Sequence, residues 1–575
     1  MNYGSAPNPI VSVDQNTNRI NTSGYAYDAG SNRASATLDG TTVNYAYDTL
    51  NRLTNLTSGF AGQFTFGYDA LSRRTSLNRP NAVNTTYMYD SVSRLLSVLH
   101  QLGLTTIDGA SYGVDAAGNR VSKTNYIDSS NENYTYDALY QLTQVVHNGS
   151  TSETYTYDGV GNRLSSLGVP SYTVNSSNEL TSTSSATFAY DNNGNTTSKT
   201  DPSGTTSYTW DFENRLVSVT LPGTGGTVTF KYDPLGRRIQ KASPSGTMNF
   251  AYDGANVVEE LNAAGTITAQ YAQGTGVDQP LATNRGGVLA FYEADGLGSV
   301  TSLTDNTGSA LAAYTTDAFG KPVSTADSTV NNPFRYTARE YDSETGLYYY
   351  RARYYDPAPG KFLSEDPVGF SAGVDFYRYV SNSPVDLIDP SGLWSTAAHH
   401  QILWNAFHGC KGISDADIYH MQQGSDYADS DVFQGPEYSY IHAMSNGTAH
   451  QSAANAQQQT ASFIATQMVV ATNQYNAGAM SQAMFTFGVA MHPMMDMTSP
   501  AHTDPNGRPI PWCGMMGSCS NTSQHGGDSW YPQPFTIEDV AHLNANPEIQ
   551  ELETFLLRTW FEMLTGRHLD CGCKK

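Results

Sequence analysis

The chain reads as two parts, an all-β repeat shell over the first 393 residues and an all-α domain from there to residue 575. Three observations carry this division. An aromatic–Asp pair returns at a nearly constant interval through the first part. Composition switches sharply near residue 393, since eleven of 13 histidines, 12 of 15 methionines and all five cysteines follow it. Beyond that point apolar residues recur three and four apart, which is the helical period.

The repeat comes first. The pair stands at Tyr27-Asp28, Tyr47-Asp48, Tyr68-Asp69, Tyr89-Asp90, Tyr136-Asp137, Tyr157-Asp158, Tyr190-Asp191, Trp210-Asp211 and Tyr232-Asp233, with most spacings 20 to 22 residues. Small turn-forming residues and an arginine follow several of them, at Asn32-Arg33, Asn51-Arg52, Asn162-Arg163 and Asn214-Arg215. Segments between the pairs alternate with period two, as in Thr41-Thr-Val-Asn-Tyr-Ala-Tyr47. Each unit is therefore expected to be a hairpin around an Asx-rich turn. A lone hairpin cannot bury a core, so the units should stack into one long continuous sheet with ladders of Tyr rings and Arg stems.

The net charge of −23 is shared by both parts, and residues 394–575 hold 6 Lys+Arg against 16 Asp+Glu. This balance argues against non-specific binding of the phosphate backbone by a basic surface, although bound cations could reverse the field inside a site. No apolar run approaches a membrane span, and Met1-Asn-Tyr-Gly-Ser-Ala lacks signal-peptide features. The expectation is a protein secreted or delivered to a cell surface or target cell by a route not encoded here, or the tail of something longer. Cys513 and Cys519 could close a small disulfide loop or be reduced thiols.

Residues 20–393 resemble the YD-repeat, or RHS, family. Its core signature is present in Asp295-Gly-Leu-Gly-Ser-Val300, Asn332-Pro-Phe-Arg-Tyr336, Asp342-Ser-Glu-Thr-Gly-Leu-Tyr-Tyr349 and Arg351-Ala-Arg-Tyr-Tyr-Asp-Pro357. Gly360-Lys-Phe-Leu-Ser-Glu-Asp-Pro367 follows with Lys361 where the family usually has Arg, and Pro384 to Leu393 matches the terminal PxxxxDPxGL element. The resemblance implies a shell over 1–290, a core over 291–393, and a toxin domain over 394–575 carried inside a spiralling sheet. It also implies self-cleavage after Leu393 by aspartates of the core. Asp366 and Asp389 occupy the matching positions, with Asp375 a weaker partner for Asp366. Two carboxyls sharing one proton supply an acid and a base. Without the resemblance, Asp366-Pro and Asp389-Pro read simply as turn formers.

In the second part helices are expected over 402–407, 449–471, 482–495 and 548–564. The most informative stretch is His492-Pro-Met-Met-Asp496-Met-Thr-Ser-Pro-Ala-His502. On a helix His492 and Asp496 leave one face, and the Ser499-Pro500 break lets His502 turn back. Two imidazoles and a carboxylate converging on a point suit zinc. The pair alone reads equally well as a buried, hydrogen-bonded polar cluster. The same element, with Pro500 two before the last His, resembles the family uniting zinc-dependent phospholipase C and the single-strand-specific zinc nucleases.

That resemblance implies two or three zinc ions. Its ligands would be Trp394, His399, Asp429, His442, His492, Asp496, His502, His525 and Asp528, with Asp429 also orienting the attacking water and Asp496 bridging a buried pair. Asp426 and Asp431 compete with Asp429, and Asp528, or Asp496 shared between ions, would substitute for the family's acid, whose place is taken by Ser529. In the family the mature chain begins with Trp, whose amine and carbonyl bind zinc. Cleavage after Leu393 would expose Trp394, so a zymogen completed by its own cleavage is one reading and an ordinary core aromatic the other.

The leading expectation is a polymorphic toxin with a phospholipase C-like domain acting on phospholipid or another phosphodiester, with a cognate immunity protein and a secretion-system carrier. A nuclease on the same scaffold is the alternative. Ser445 departs from both, since each has an acid there. A structural surface protein without activity is the third reading.

Overall fold

In the computed structural model the described residues are 10–14, 19–29, 32–38, 41–91, 93–116, 118–326, 330–367 and 375–393. Beyond these they are 445–446, 453–476, 480–496, 511–512 and the single positions 403, 407, 413, 421, 425, 558 and 561. The chain divides into two compact units, one of 1–365 with 375–392, the other of 366–374 with 393–575.

The first unit is a chain-order meander. Fifteen strands from Ile10–Asp14 to Arg163–Ser166 form one sheet, and sixteen from Tyr172–Val174 to Pro322–Ala326 form a second, every neighbouring pair antiparallel. The single continuous sheet expected from the repeat is thus two sheets. The break falls where Ser166 closes a tight turn with Val169 and Pro170 follows, a residue with no N–H to offer a ladder. The second sheet runs unbroken across residue 290, inside the strand Val288–Ala294. A four-stranded sheet, Glu340–Asp342, Leu347–Tyr350, Arg353–Asp356 and Lys361–Phe362, completes the unit.

The Tyr–Asp pair builds the turn and the ladder together. Asp48 Oδ1 accepts the N–H groups of Leu50 (2.9 Å) and Arg52 (3.0 Å), and Arg52 Nε donates to Asp48 Oδ2 at 2.7 Å. Asn51 between them is left-handed, φ 59°, a conformation that Asn and Gly tolerate best. The same turn recurs at Asp69–Arg73, Asp211–Arg215 and Asp233–Arg237. The tyrosine before each Asp donates to a carbonyl one hairpin back: Tyr68 to Leu53 (2.9 Å), Tyr157 to Leu142 (2.9 Å), Tyr232 to Leu216 (2.6 Å). The arginine reaches forward. Arg52 lies over the Tyr68 ring at 5.0 Å and donates to Asp69 O at 3.0 Å, and Arg73 repeats this on Tyr89 and Asp90.

Two arginines grouped with these by sequence act differently. Arg33 and Arg163 stand five residues after their Asp, not four, and a one-residue step in a strand changes the face. Arg33 pairs with Asp253 of the second sheet at 2.7 Å, and Arg163 is buried under the rings of Tyr155 and Phe319.

The two sheets are joined by apolar clusters, such as Leu56, Phe64 and Leu77 with Ala282 and Phe291, and by buried polar pins. Arg79 donates twice to Tyr292 O. His100 donates through Nε2 to Ala294 O at 3.0 Å and accepts from Thr85. Glu153 accepts the Ala318 N–H at 3.1 Å. Burial raises Glu153 to about 7, with the nearby Asp317 charge adding to it. Burial likewise raises Asp317 to about 6, and raises Glu293 to about 8 against the pull of Arg79. His100 is lowered to about 4 by burial and then by Arg79.

The signs differ. Each raised carboxyl contributes stability that is fully present below its ordinary pKa and lost as pH rises through about 6, 7 and 8. The neutral His100 contributes stability lost only as pH falls from its ordinary value toward 4. The urea midpoint of the first unit should therefore fall from about pH 6.5 to about pH 8.5, through the raised values of Glu153 and Glu293. A rising midpoint over that range would contradict it.

The second unit contains helix α1 (Ala453–Asn476) and helix α2 (Met480–Asp496), packed together with Leu403, Phe407, Met421 and Phe561 around Ile464, Met468, Met484 and Phe487. Gly488 lets the Met421 carbonyl approach α2 where any Cβ would collide. No helix among the described residues is long and apolar enough to cross a membrane.

Candidate functional site

The end of the first unit is an arm, Pro384 to Gly392, secured along its length. Asp386 is tied to the first sheet, accepting the Arg120 N–H at 2.7 Å and the Tyr136 hydroxyl at 2.9 Å, and burial raises its pKa. Three residues on, Asp389 is 2% exposed. Its carboxylate lies 3.4 Å from the Arg353 guanidinium and accepts the Ser391 hydroxyl at 3.2 Å.

Arg353 organises the arm. It is itself fully buried, stacked 3.5 Å from the Phe362 ring centre, and it also donates to two carbonyls, Gly392 O and Phe376 O. The Ala352 N–H donates to Ser391 O at 3.1 Å, and Arg351 donates to Pro390 O while pairing with Asp278 at 2.7 Å. Gly392, at φ 71°, passes so near Tyr350 O that a Cβ has no room. The Tyr350–Arg353 turn therefore grips the last residues before Leu393. A buried guanidinium facing a carboxylate supplies its counter-charge and fixes its rotamer.

Of the sequence-derived residues, Asp389 is placed in this grip. Asp366 is also buried, in the segment 366–374 of the second unit. Asp375, the weaker candidate, accepts the Lys361 ammonium at 3.1 Å and the Tyr377 N–H. His492 and Asp496 fall four apart in α2, as the metal reading requires of their backbone. Trp394, His399, Asp429, His442, His502, His525 and Asp528 lie outside the described residues. Sequence reasoning missed Arg351, Arg353 and Asp278. The first two sit inside Arg351-Ala-Arg-Tyr-Tyr-Asp-Pro357, a motif read only as a signature. Asp278 is marked by nothing in the sequence.

Chain-order antiparallel sheets, Tyr–Asp turns and the gripped terminal arm define a YD-repeat β-shell. The teneurin YD-shell family model matches residues 74–385, more than half of the chain, and the chain belongs to that family. Among curated relatives, the tRNA3(Ser)-specific nuclease WapA of Bacillus spizizenii is 37% identical over 274 residues, 45% of this chain and 12% of its own. The tRNA nuclease WapA of Bacillus subtilis is 36% identical over the same shares. Toxin subunit YenC2 of Yersinia entomophaga is 51% identical over 59 residues, 10% of this chain and 6% of its own. The TcdB2–TccC3–Cdc42 crystal structure shares the fold at TM-score 0.54 and 21% identity, covering 65% of this chain and 22% of that one. The chain thus spans about an eighth of the length of the Bacillus relatives.

Proposed function

We propose that the chain is the shell and effector portion of a polymorphic toxin, in which cleavage after Leu393 frees a zinc-dependent phosphodiester hydrolase. One observation carries the reading. The first unit ends at Gly392, in an arm whose buried Asp389 and clamped Gly392 carbonyl stand immediately before Leu393, and a unit of different composition follows. Such an arm fixes the residues just before the proposed cleavage point, which suits an intramolecular acid–base cleavage. Asp389 and Asp366 are the proposed pair. The toxin class is supported by the name of the YenC2 relative.

For the effector, α2 carries His492 and Asp496 one turn apart, which suits two ligands of one ion. Trp394, His399, Asp429, His442, His502, His525 and Asp528 complete the proposed set. Zinc bound there supplies Lewis-acid activation of water and of the phosphodiester. Asp429 would hold the attacking water and accept its proton. Two substrates follow from two observations. RNA is favoured by the nuclease names of the Bacillus relatives, and phospholipid by the likeness of the His492–His502 element to zinc phospholipase C. A carrier, an immunity protein and delivery to a target cell belong to the same proposal.

The test is purification of the intact chain with zinc, followed by N-terminal sequencing, metal analysis, and parallel assays on tRNA and phosphatidylcholine vesicles. A fragment beginning at Trp394, holding two or three zinc ions and cleaving either substrate, is the expected result. His492→Ala should lose metal and activity together. An uncleaved chain that binds no zinc would leave a repeat shell without an effector.

A further inference from the structure

A second cluster in the first unit has the makings of a covalent bond. Lys361 opens the strand Lys361–Phe362, and its Nζ lies 2.9 Å from Asn162 Oδ1 and 3.1 Å from Asp375 Oδ2. Lys361, Asn162 and Asp375 are 7%, 1% and 2% exposed, so water is excluded from all three. Asn162 belongs to the Asp158 turn, 199 residues earlier in the chain. Its amide nitrogen donates to Asp158 Oδ2 at 3.0 Å and to Asn178 Oδ1 at 2.8 Å, which turns the carbonyl toward the lysine. Burial lowers the Lys361 amine against the pull of Asp375, with Arg163 and Arg378 adding to the lowering. The neutral, nucleophilic form is thereby made accessible.

We propose that Lys361 and Asn162 join in an intramolecular isopeptide bond, with Asp375 as the proton carrier. The Lys361 ammonium gives one proton to the Asp375 carboxylate. The freed lone pair attacks Asn162 Cγ, forming the new C–N bond, and the tetrahedral carbon collapses with rupture of Cγ–Nδ2. Asp375 returns its proton to the departing nitrogen, then takes the second proton from the attacking nitrogen and passes it to the released ammonia. The sum is ammonium plus carboxamide giving a secondary amide plus an ammonium ion, with no oxidant or co-reactant. Asp158, which holds the leaving nitrogen, stands at a partly exposed turn and gives it a way out.

The geometry suits this chemistry in two further respects. A buried lysine–aspartate pair surrounded by protein is held at reacting distance by the fold itself, which replaces a bimolecular encounter with a positioned one. Lys361 also stands where the family motif usually has Arg, whose guanidinium stays charged and does not act as a nucleophile. The bond would tie the first sheet to the four-stranded sheet across a loop that is costly to close by weak contacts alone.

Intact mass and a tryptic digest of the purified full chain, or of its cleaved first fragment, test this. The expected mass is lighter than the sequence by one ammonia, and residues 124–163 should appear joined to 354–378 in one branched peptide uncut after Lys361. Lys361→Arg, checked for folding by circular dichroism, should return the full mass. Asp375→Asn should slow formation after refolding by about 10²-fold or more. A wild-type chain at full mass, with separate peptides ending at Lys361 and beginning at Phe362, would overturn the bond. So would a lighter mass without the branched peptide, which points to cyclisation at another asparagine. Cross-linking of Asp375→Asn at the wild-type rate would overturn the role given to Asp375.

Discussion

Arg238→Met should destabilise the first unit by about 3–5 kcal/mol, as removal of one partner from a buried charge pair generally does. Arg238 is 1% exposed and starts the strand Arg238–Ser243. Its guanidinium meets Glu340 at 2.7 Å and Asp342 at 2.5 Å, and lies 4.5 Å from the Tyr349 ring centre. Methionine fills much the same volume, so the loss is one of charge and hydrogen bonds, not of packing. Asp342 keeps Lys241 at 3.0 Å, whereas Glu340 loses the guanidinium that faced it. The double variant Arg238→Met/Glu340→Gln should therefore recover part of the loss. Urea unfolding followed by tyrosine fluorescence checks both. If the single and double variants match the wild type within about 0.5 kcal/mol, this pair does not hold the four-stranded sheet to the repeat sheet.

The parts of this fold that were legible in sequence are those set by local chemistry. Asp at the end of a strand, a residue tolerant of positive φ three places on, and Arg or Asn at the fourth place specify a turn that needs no tertiary help. The period-two pattern likewise places the strand Thr41–Tyr47 where it is found. Legibility ends where position relative to a distant element decides. Asn32-Arg33 and Asn51-Arg52 look alike as dipeptides, yet Arg33 crosses to Asp253 while Arg52 stays on its own ladder. Nothing local distinguishes four residues from five until the pleat assigns faces. The split at Pro170 has no mark in the repeat pattern; it falls between two short strands, Arg163–Ser166 and Tyr172–Val174.

The candidate site shows the same division. Asp389 was marked by its place in the family's terminal element, while Arg353, which holds it, was hidden within a run of tyrosines and arginines serving as a family signature. Asp278 is the clearest case. It receives both Arg339 and Arg351, from 61 and 73 residues further along the chain, and its own neighbourhood gives no hint of them. Buried ion pairs of that separation are properties of the fold, so no window of sequence contains them.

Asp389→Asn should reduce release of the fragment beginning at Trp394 by about 10²–10⁴-fold, the loss typical of removing a general acid or base. The substitution is nearly isosteric, and the Asn oxygen can still accept from Ser391, at 3.2 Å in the wild type. Arg353 keeps Gly392 O and Phe376 O, so the arm should stay seated while the chemistry stops. Arg353→Met makes the opposite experiment. It leaves Asp389 ionisable but frees Gly392 O from the guanidinium, so cleavage should fall together with protection of the arm. Limited proteolysis at Pro384–Gly392, read beside the yield of the released fragment, separates the two. Normal release from Asp389→Asn would assign the acid–base role elsewhere and leave Asp389 as Arg353's counter-ion. Loss of arm protection in that variant would show that the carboxylate acts by holding the arm and not by moving a proton.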